Sequence, residues 1–307
     1  MKHVVSVSIG SSARNHSARV TLLGEEILVE RIGTDGDVAK AKELVKELRD
    51  EVDAFGLGGI DLYLEANGKK YYFRDAKNIA AMAGDTPVVD GTGLKRRVEH
   101  DAVIYVARKI GLPIAGEEAF VVSGFDRPGM GLAFTELGCR VTYGDLMFAT
   151  GIPVPLHEMS SIYMLAPIVM PWLSQLPFSW VYPTGQTQRA NREWTKKRRL
   201  KFQKYYNRAR VLAGDFHYIF RHLPERIDGK IIVTNTVTRD DVEELGRRGA
   251  YALVTTSPEI EGRSFGANLM EAMLIALIDK PIDEITHEDY SQMMEQLDLR
   301  PRVVMYD

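Results

Sequence analysis

Hydrophobic and polar positions alternate along the first thirty residues in short runs. HVVSVSIG, ARVTLLG and EILVERIG read as strands, with Gly24-Glu25 turning the second into the third. After Asp37, a good N-cap, the period lengthens: Val38, Ala41, Leu44, Val45, Leu48 and Val52 fall on one stripe and predict a helix. VDAFGLGGIDLYL returns to a strand pattern, and LYLEANGKKYYF predicts a hairpin about Asn67-Gly68. TPVVDGTGLK reads as a strand ending in a glycine-rich turn, and LKRRVEHDAVIYVARKIG as a helix stopped by Gly111.

Beyond the linker LPIAGEE the pattern becomes regular. AFVVSG is a strand, PGMGLAFTELG a helix with Gly138 past its end, and CRVTYGD a second strand. ARVLAGD, GKIIVTNT and AYALVTTSP follow as short apolar runs, with the capped amphipathic helix TRDDVEELGRRG between the last two. Short, continuously apolar strands alternating with helices indicate a parallel sheet covered on both faces. The expected fold class is therefore α/β, with an N-terminal α/β domain over 1–115 and a doubly wound, Rossmann-like domain over 116–307.

Composition narrows the setting. The chain has 307 residues, 45% hydrophobic and 26% charged, with a net charge of −3, as expected of a soluble globular protein without a general preference for nucleic acid. Cys139 is the only cysteine, which excludes an intramolecular disulfide, and the amino terminus lacks the order of a secretory signal. A cytoplasmic location is expected. Residues 159–188 carry no charge, but Pro167, Pro171 and Pro177 interrupt them. Short buried helices lining a cleft or a subunit contact in a homo-oligomer fit better than a membrane span. Residues 189–210 then hold ten basic side chains and one acidic one, with Trp194, Phe202, Tyr205 and Tyr206 interleaved. A solvated helix with inward-packed aromatics is favoured there over a nucleic-acid site.

The stretch AFVVSGFDRPGMGLAFTELGCRVTYGD poses the main chemical question. A dinucleotide site needs a glycine turn between strand and helix, and an acid about twenty residues on for the ribose. Gly124, Gly129 and Gly131 supply the turn, and Asp145 lies 21 residues after Gly124. The spacing is G-x-x-x-x-G-x-G rather than G-x-G-x-x-G. A plain βαβ turn is the alternative. Asn235 and Thr236 end a later strand, where a nicotinamide would be approached, and Asp215 caps a helix or lies at the same edge. The expected cofactor is NAD or NADP, with NAD favoured because Asp145 would repel a 2′-phosphate. Arg263 and Ser264 precede the helix NLMEAMLIAL and are candidates for holding a carboxylate or phosphate. No metal is expected: Asp35, Asp37 and Asp61 have no specific ligand spacing, and the histidines form no zinc pattern.

The segments AGDFHYIFRHLP, IIVTNTVT, TTSPEIEGRSFGANLMEA, DAFGLGGIDLYL and VVDGTGLK resemble a bacterial family labelled quinate 5-dehydrogenase, related in name to shikimate dehydrogenases. The resemblance implies a substrate domain followed by an NAD(P) domain, with a lysine and an aspartate acting on the reacting hydroxyl. The motifs Asn-Val-Thr-x-Pro-x-Lys and Gly-Ala-Gly-Gly-Ala of shikimate dehydrogenases are absent from the chain. In VVDGTGLKRRVEHD the nearest substitutes are Lys95, with Asp90 or Asp101 as base; a turn at Asp90 and a wet helix face at Lys95 are the plain alternative. The expected function is an NAD(P)-dependent oxidoreductase for a small hydroxylated, quinate- or shikimate-like acid. Two alternatives remain: an actin-like phosphotransferase, from the strand–Gly-Ser-Ser–strand–strand order of VSVSIGSSARNHSARVTLLGEEILV, and a non-catalytic ligand- or partner-binding protein.

Overall fold

The computed structural model describes residues 1–177, 201–235, 237–260, 263–278, 280–297 and 300–306, and the side chains of 258–260, 263–264 and 287 lie outside that description. Contacts divide the chain into two compact units. The first comprises Met1–Leu94, Ile168–Gln188 and Ile260–Leu299, and the second Lys95–Pro167, Arg189–Glu259 and Arg300–Asp307. The chain thus first crosses between units at Leu94/Lys95, where the sequence pattern places a boundary at 115/116, and it returns to the first unit twice.

In the first unit the strands are β1 (Lys2–Ser8), β2 (His16–Leu22), β3 (Glu25–Gly33), β4 (Ala54–Gly58), the hairpin β5 (Tyr63–Ala66) and β6 (Lys69–Tyr72), and β7 (Val88–Val89). The main sheet runs β2-β3-β1-β4-β7, with β3, β4 and β7 parallel and β2 antiparallel on the edge. A meander of successive hairpins would put β2 between β1 and β3; instead β3 lies between β1 and β2. Helix α1 (Val38–Leu48) is capped by Asp37, whose carboxylate accepts from the Lys40 amide, and buries Ala41 and Val45. Asn67 (φ 52°) and Gly68 (φ 73°) form the hairpin turn, both left-handed as a two-residue connection requires. Helix α2 (Arg74–Ala80) leads to β7, and α3 (Thr92–Tyr105) follows it.

The second unit contains β8 (Glu118–Val121), α4 (Pro128–Glu136), β9 (Arg140–Tyr143), α5 (Asp145–Thr150) and the part of α6 (Met159–Leu173) up to Pro167. A helix over 201–208, here α7, precedes β10 (Val211–Ala213), α8 (Phe216–His222), β11 (Ile231–Thr234), α9 (Arg239–Arg247) and β12 (Ala252–Ile260). Helices α10 (Ala267–Leu277) and α11 (His287–Gln296) belong to the first unit, and β13 (Pro301–Met305) closes the second. The sheet runs β9-β8-β10-β11-β12, all parallel, with β13 antiparallel on β12. One face packs α4 residues such as Met130 and Phe134 onto Val121, Val211 and Val233; the other packs Phe202, Tyr206 and Ile219 onto Phe120, Leu212 and Ile232. This is the doubly wound α/β architecture expected, with a Rossmann-like parallel sheet.

Two expectations about the middle of the chain change. Residues 159–173 of the uncharged segment form one helix, α6, that runs through Pro167 and Pro171 instead of breaking, and it exposes Met164, Ile168 and Trp172 instead of burying them. Its prolines lie on its exposed side, where the carbonyl one turn back, left without a donor, can accept from water instead. Among the described residues no helix is long and apolar enough to cross a membrane. Residues 178–200, with Trp194 and most of the basic run, lie outside the described residues. In the described remainder Phe202 and Tyr206 are fully buried and Tyr205 stacks on Phe120, so these aromatics face the core and not a nucleic-acid strand.

Glycine in β4 is required by α10. A Cβ on Gly56 would stand 2.8 Å from the Asn268 carbonyl. Gly56→Ala is therefore expected to lower stability by about 1–3 kcal/mol, read from the midpoint of denaturant unfolding.

Candidate functional site

In the first sheet β1 lies between β3 and β4, and in the second β8 lies between β9 and β10. In the second unit the chain leaves β8 for β9 and returns past β8 to β10. The crevice outside the carboxyl ends at such a reversal is where doubly wound sheets bind ligands. The loop after β8 carries Ser123, Gly124, Asp126 and Arg127; Gly214 and Asp215 follow β10, and Asn235 follows β11. Helix α3 adds Lys95 and Glu99.

These residues form a buried ionic cluster. The Lys95 amine, 8% exposed, donates to Asp126 at 3.1 Å. Arg127, the N-cap residue of α4, donates to Glu99, approaches Asp215 at 3.5 Å and lies 3.4 Å from Asp126. Asp215 caps α8 by accepting from the His217 amide at 2.9 Å and accepts from the Asn235 side-chain amide at 2.9 Å. Asn235 in turn accepts from the Phe216 amide at 3.2 Å. Three buried polar atoms of the cluster have no hydrogen-bond partner: Glu99 Oε2, Ser123 Oγ and Arg127 Nε. Unpaired polar atoms are costly in an interior, and several together at a sheet edge mark a place built to receive polar groups.

Burial sets the protonation. Glu99 is pushed up to about 7, chiefly by desolvation, which outweighs the opposing pull of Arg127; Asp126 adds to the rise. Arg127 is driven further up by Glu99, Asp126 and Asp215 despite its burial, so it stays charged. Lys95 and Arg127 are thus two cations against three carboxylates, and both are already engaged. The cluster has hydroxyl-accepting capacity and no cation free of a carboxylate. It suits neutral hydroxyls better than a carboxylate.

The expected dinucleotide turn is filled by protein. The Gly124 and Phe125 amides donate to the Asp145 carboxylate, at 3.0 and 2.8 Å, so Asp145 takes the donors a diphosphate would use and is not at a ribose. Burial pushes Asp145 up to about 6, opposed by those same amides. A Cβ on Gly124 would strike the Tyr143 ring, one on Gly131 would stand 2.7 Å from the Tyr143 hydroxyl, and one on Gly129 would strike the Arg96 carbonyl. The backbone of α3 therefore lies over the start of α4. These glycines admit neighbouring protein, the turn does not fit the diphosphate of NAD or NADP, and the argument from Asp145 for NAD over NADP loses its footing.

The remaining candidates separate. Asp90 lies in the first unit, where it accepts from the Leu62 amide at 2.6 Å and from the amide and hydroxyl of Thr92 at 2.9 and 2.8 Å; it braces a turn instead of pairing with Lys95. Asp101 is exposed and paired with Arg97 and His100, outside the cluster. Thr236 and the side chains of Arg263 and Ser264 lie outside the described residues. Asp35 accepts from the Ser12 amide and Asp37 caps α1, and among the described residues no group of three His, Cys, Asp or Glu side chains is placed to hold a metal. Glu99 carries no mark in the sequence pattern, whereas Asp126 and Arg127 stand in the glycine turn itself, where a carboxylate would repel a phosphate and an arginine attract one. The visible signal is the charged pair Asp126-Arg127 at a strand end where a plain turn needs none.

Fold and site together define a doubly wound α/β protein with a buried acid–base cluster at the strand-order reversal. Residues 93–306 match the family described as Domain of unknown function (DUF8754), and the chain belongs to that family. Residues 3–90 match a second, Domain of unknown function (DUF8753). No curated protein matches. Among solved structures the chain is similar to a hetero-hexameric glutamate dehydrogenase from Thermus thermophilus in its leucine-bound form, at 13% identity over 97% of this chain and 73% of that one, with a TM-score of 0.45. It is also similar to GanP, a glucose-galactose binding protein from Geobacillus stearothermophilus, at 11% identity over 99% and 97% of the two chains, with a TM-score of 0.42. A malic enzyme from Entamoeba histolytica, of which this chain spans about half the length, is similar at 14% identity over 82% of this chain and 53% of that one, with a TM-score of 0.35. Dehydrogenases and a sugar-binding protein thus stand side by side, at similarities that carry no argument between them.

Glu99, with Asp145, sets part of the pH dependence of stability. Its folded-state value, about 7, lies above the ordinary 4.5, so the folded protein holds this proton more tightly than the unfolded chain does. The contribution is complete below about pH 4.5 and is lost as the pH rises through about 7. Glu99→Gln is expected to flatten the fall in melting temperature between pH 5 and 8, about the range set by these two values. An unchanged slope would show that Glu99 is ionised throughout.

Proposed function

We propose that this protein is a small-molecule enzyme that binds a hydroxylated compound at the carboxyl edge of the second sheet and moves a hydroxyl proton there. Asp126 takes the proton and the Lys95 ammonium donates to the oxygen that becomes negative. The observation that carries the reading is the partly buried Lys95–Asp126 pair at the strand-order reversal. A neighbouring carboxylate favours the charged form of a lysine, and a carboxylate held by two cations is fixed in place for proton transfer. The resemblance to the family labelled quinate 5-dehydrogenase supplies the reaction class, oxidation of a hydroxyl, for which NAD or NADP would be the hydride acceptor only if it bound elsewhere than at the filled Gly124–Gly131 turn. The acid part of such a substrate finds no unengaged cation in this cluster.

The filled turn favours a second reading, in which the same edge binds its hydroxylated ligand without a dinucleotide. Calorimetric titration separates the two. The oxidoreductase reading expects heat with at least one of NAD, NADH, NADP and NADPH at millimolar concentration, and reduction of the nicotinamide when quinate or shikimate is added. Binding of quinate, shikimate or a neutral polyol with no response to any dinucleotide selects the second reading. No binding of any of these compounds overturns both. Where turnover is found, Lys95→Met is expected to lower kcat by about 100-fold or more with little change in KM.

A further inference from the structure

The first sheet carries a second polar edge with the opposite electrostatics. Register places Ser6 and Ser8 of β1, Arg31 and Gly33 of β3, and Gly56 and Gly58 of β4 on one face. Toward the amino side this face is covered by α10, with the Asn268 amide on Ser6 Oγ at 2.7 Å. At the carboxyl side the Arg31 guanidinium lies across it, donating to Ser8 Oγ at 2.9 Å and to the Ser11 carbonyl at 3.0 Å. Those two bonds engage a fork that has five donors.

Arg31 is half-buried and, among the described residues, has no carboxylate within salt-bridge distance, unlike Lys95 and Arg127. Its nearest acid, Asp35, is turned to the Ser12 amide at 2.9 Å. Burial and the neighbouring charge of Arg14 pull Arg31 down to about 10, and Asp35 offsets this only in part. Ser8 Oγ accepts from Arg31 and from the Gly10 amide at 3.1 Å, so its own proton remains to be donated. The Thr34 hydroxyl, just beyond β3, is buried with no hydrogen-bond partner. The edge is therefore rich in donors and short of negative charge. It also lies where β1 is flanked by β3 and β4, the strand-order reversal of this sheet.

We infer that this edge binds a small oxyanion, the carboxylate or phosphate group of a metabolite, with Arg31 as its main contact and Ser8 as a second donor. Guanidinium geometry suits either group, because its planar fork matches two oxygens at once. The site stands independently of the function proposed above.

Calorimetry at low ionic strength with inorganic phosphate and with L-malate tests it. Saturable binding of at least one probe is expected, weakened tenfold or more by Arg31→Gln and about two- to fivefold by Arg14→Gln, which removes only a nearby charge. Phosphate alone points to a phosphorylated ligand and malate alone to a carboxylic acid. The Lys95→Met protein should give the same titration as the wild type, which separates this site from the other cluster. No saturable binding of either probe, or binding that survives Arg31→Gln, overturns the inference. Should Arg31→Gln fail to fold by circular dichroism, the exposed Arg14→Gln variant decides, and an unchanged affinity there counts against the site.

Discussion

A single buried guanidinium organises the second unit. Arg127 reaches Glu99 on α3, Asp126 in its own turn and Asp215 at the end of β10. Three carboxylates cannot share an interior without a cation, because desolvation and mutual repulsion would each raise their free energy. With Arg127 present, the helix before the sheet and the ends of two parallel strands are tied to one point. Lys95 then completes the charge balance through Asp126. The proton-transfer pair, the raised Glu99 and the unpaired Ser123 hydroxyl all follow from that arrangement.

The two sheets share a winding pattern but treat charge differently at their carboxyl edges. In the cluster of the second unit the carboxylates of Glu99, Asp126 and Asp215 outnumber the cations Lys95 and Arg127, and each of the two cations already faces a carboxylate. In the first, Arg31 meets a hydroxyl and a carbonyl. A cluster of the first kind recognises groups that donate hydrogen bonds; an edge of the second kind recognises groups that accept them.

Glycines carry the main lesson in reading this chain. Gly124, Gly129, Gly131 and Asp145 have the order and separation of a dinucleotide site, yet each is explained by protein neighbours: Tyr143 beside the first and third, Arg96 beside the second, and two amides on Asp145. A missing Cβ permits close approach without saying what approaches. The same spacing therefore serves a ligand or a crossing helix, and α3, which does the crossing, belongs to a part of the sequence whose own pattern says nothing of its neighbour.

Strands, helices, caps and the hairpin at Asn67-Gly68 were legible along the chain, because periodicity and capping are local properties of a few adjacent residues. The α/β class followed from their alternation. Lys95 was also visible as a candidate, though its partner was sought nearby at Asp90 and Asp101. Tertiary structure alone paired it with Asp126, placed Glu99 and Asp215 around Arg127, and left Arg31 without an acid. Such pairings join residues distant along the chain, and their energies depend on burial and on neighbours that no local pattern specifies.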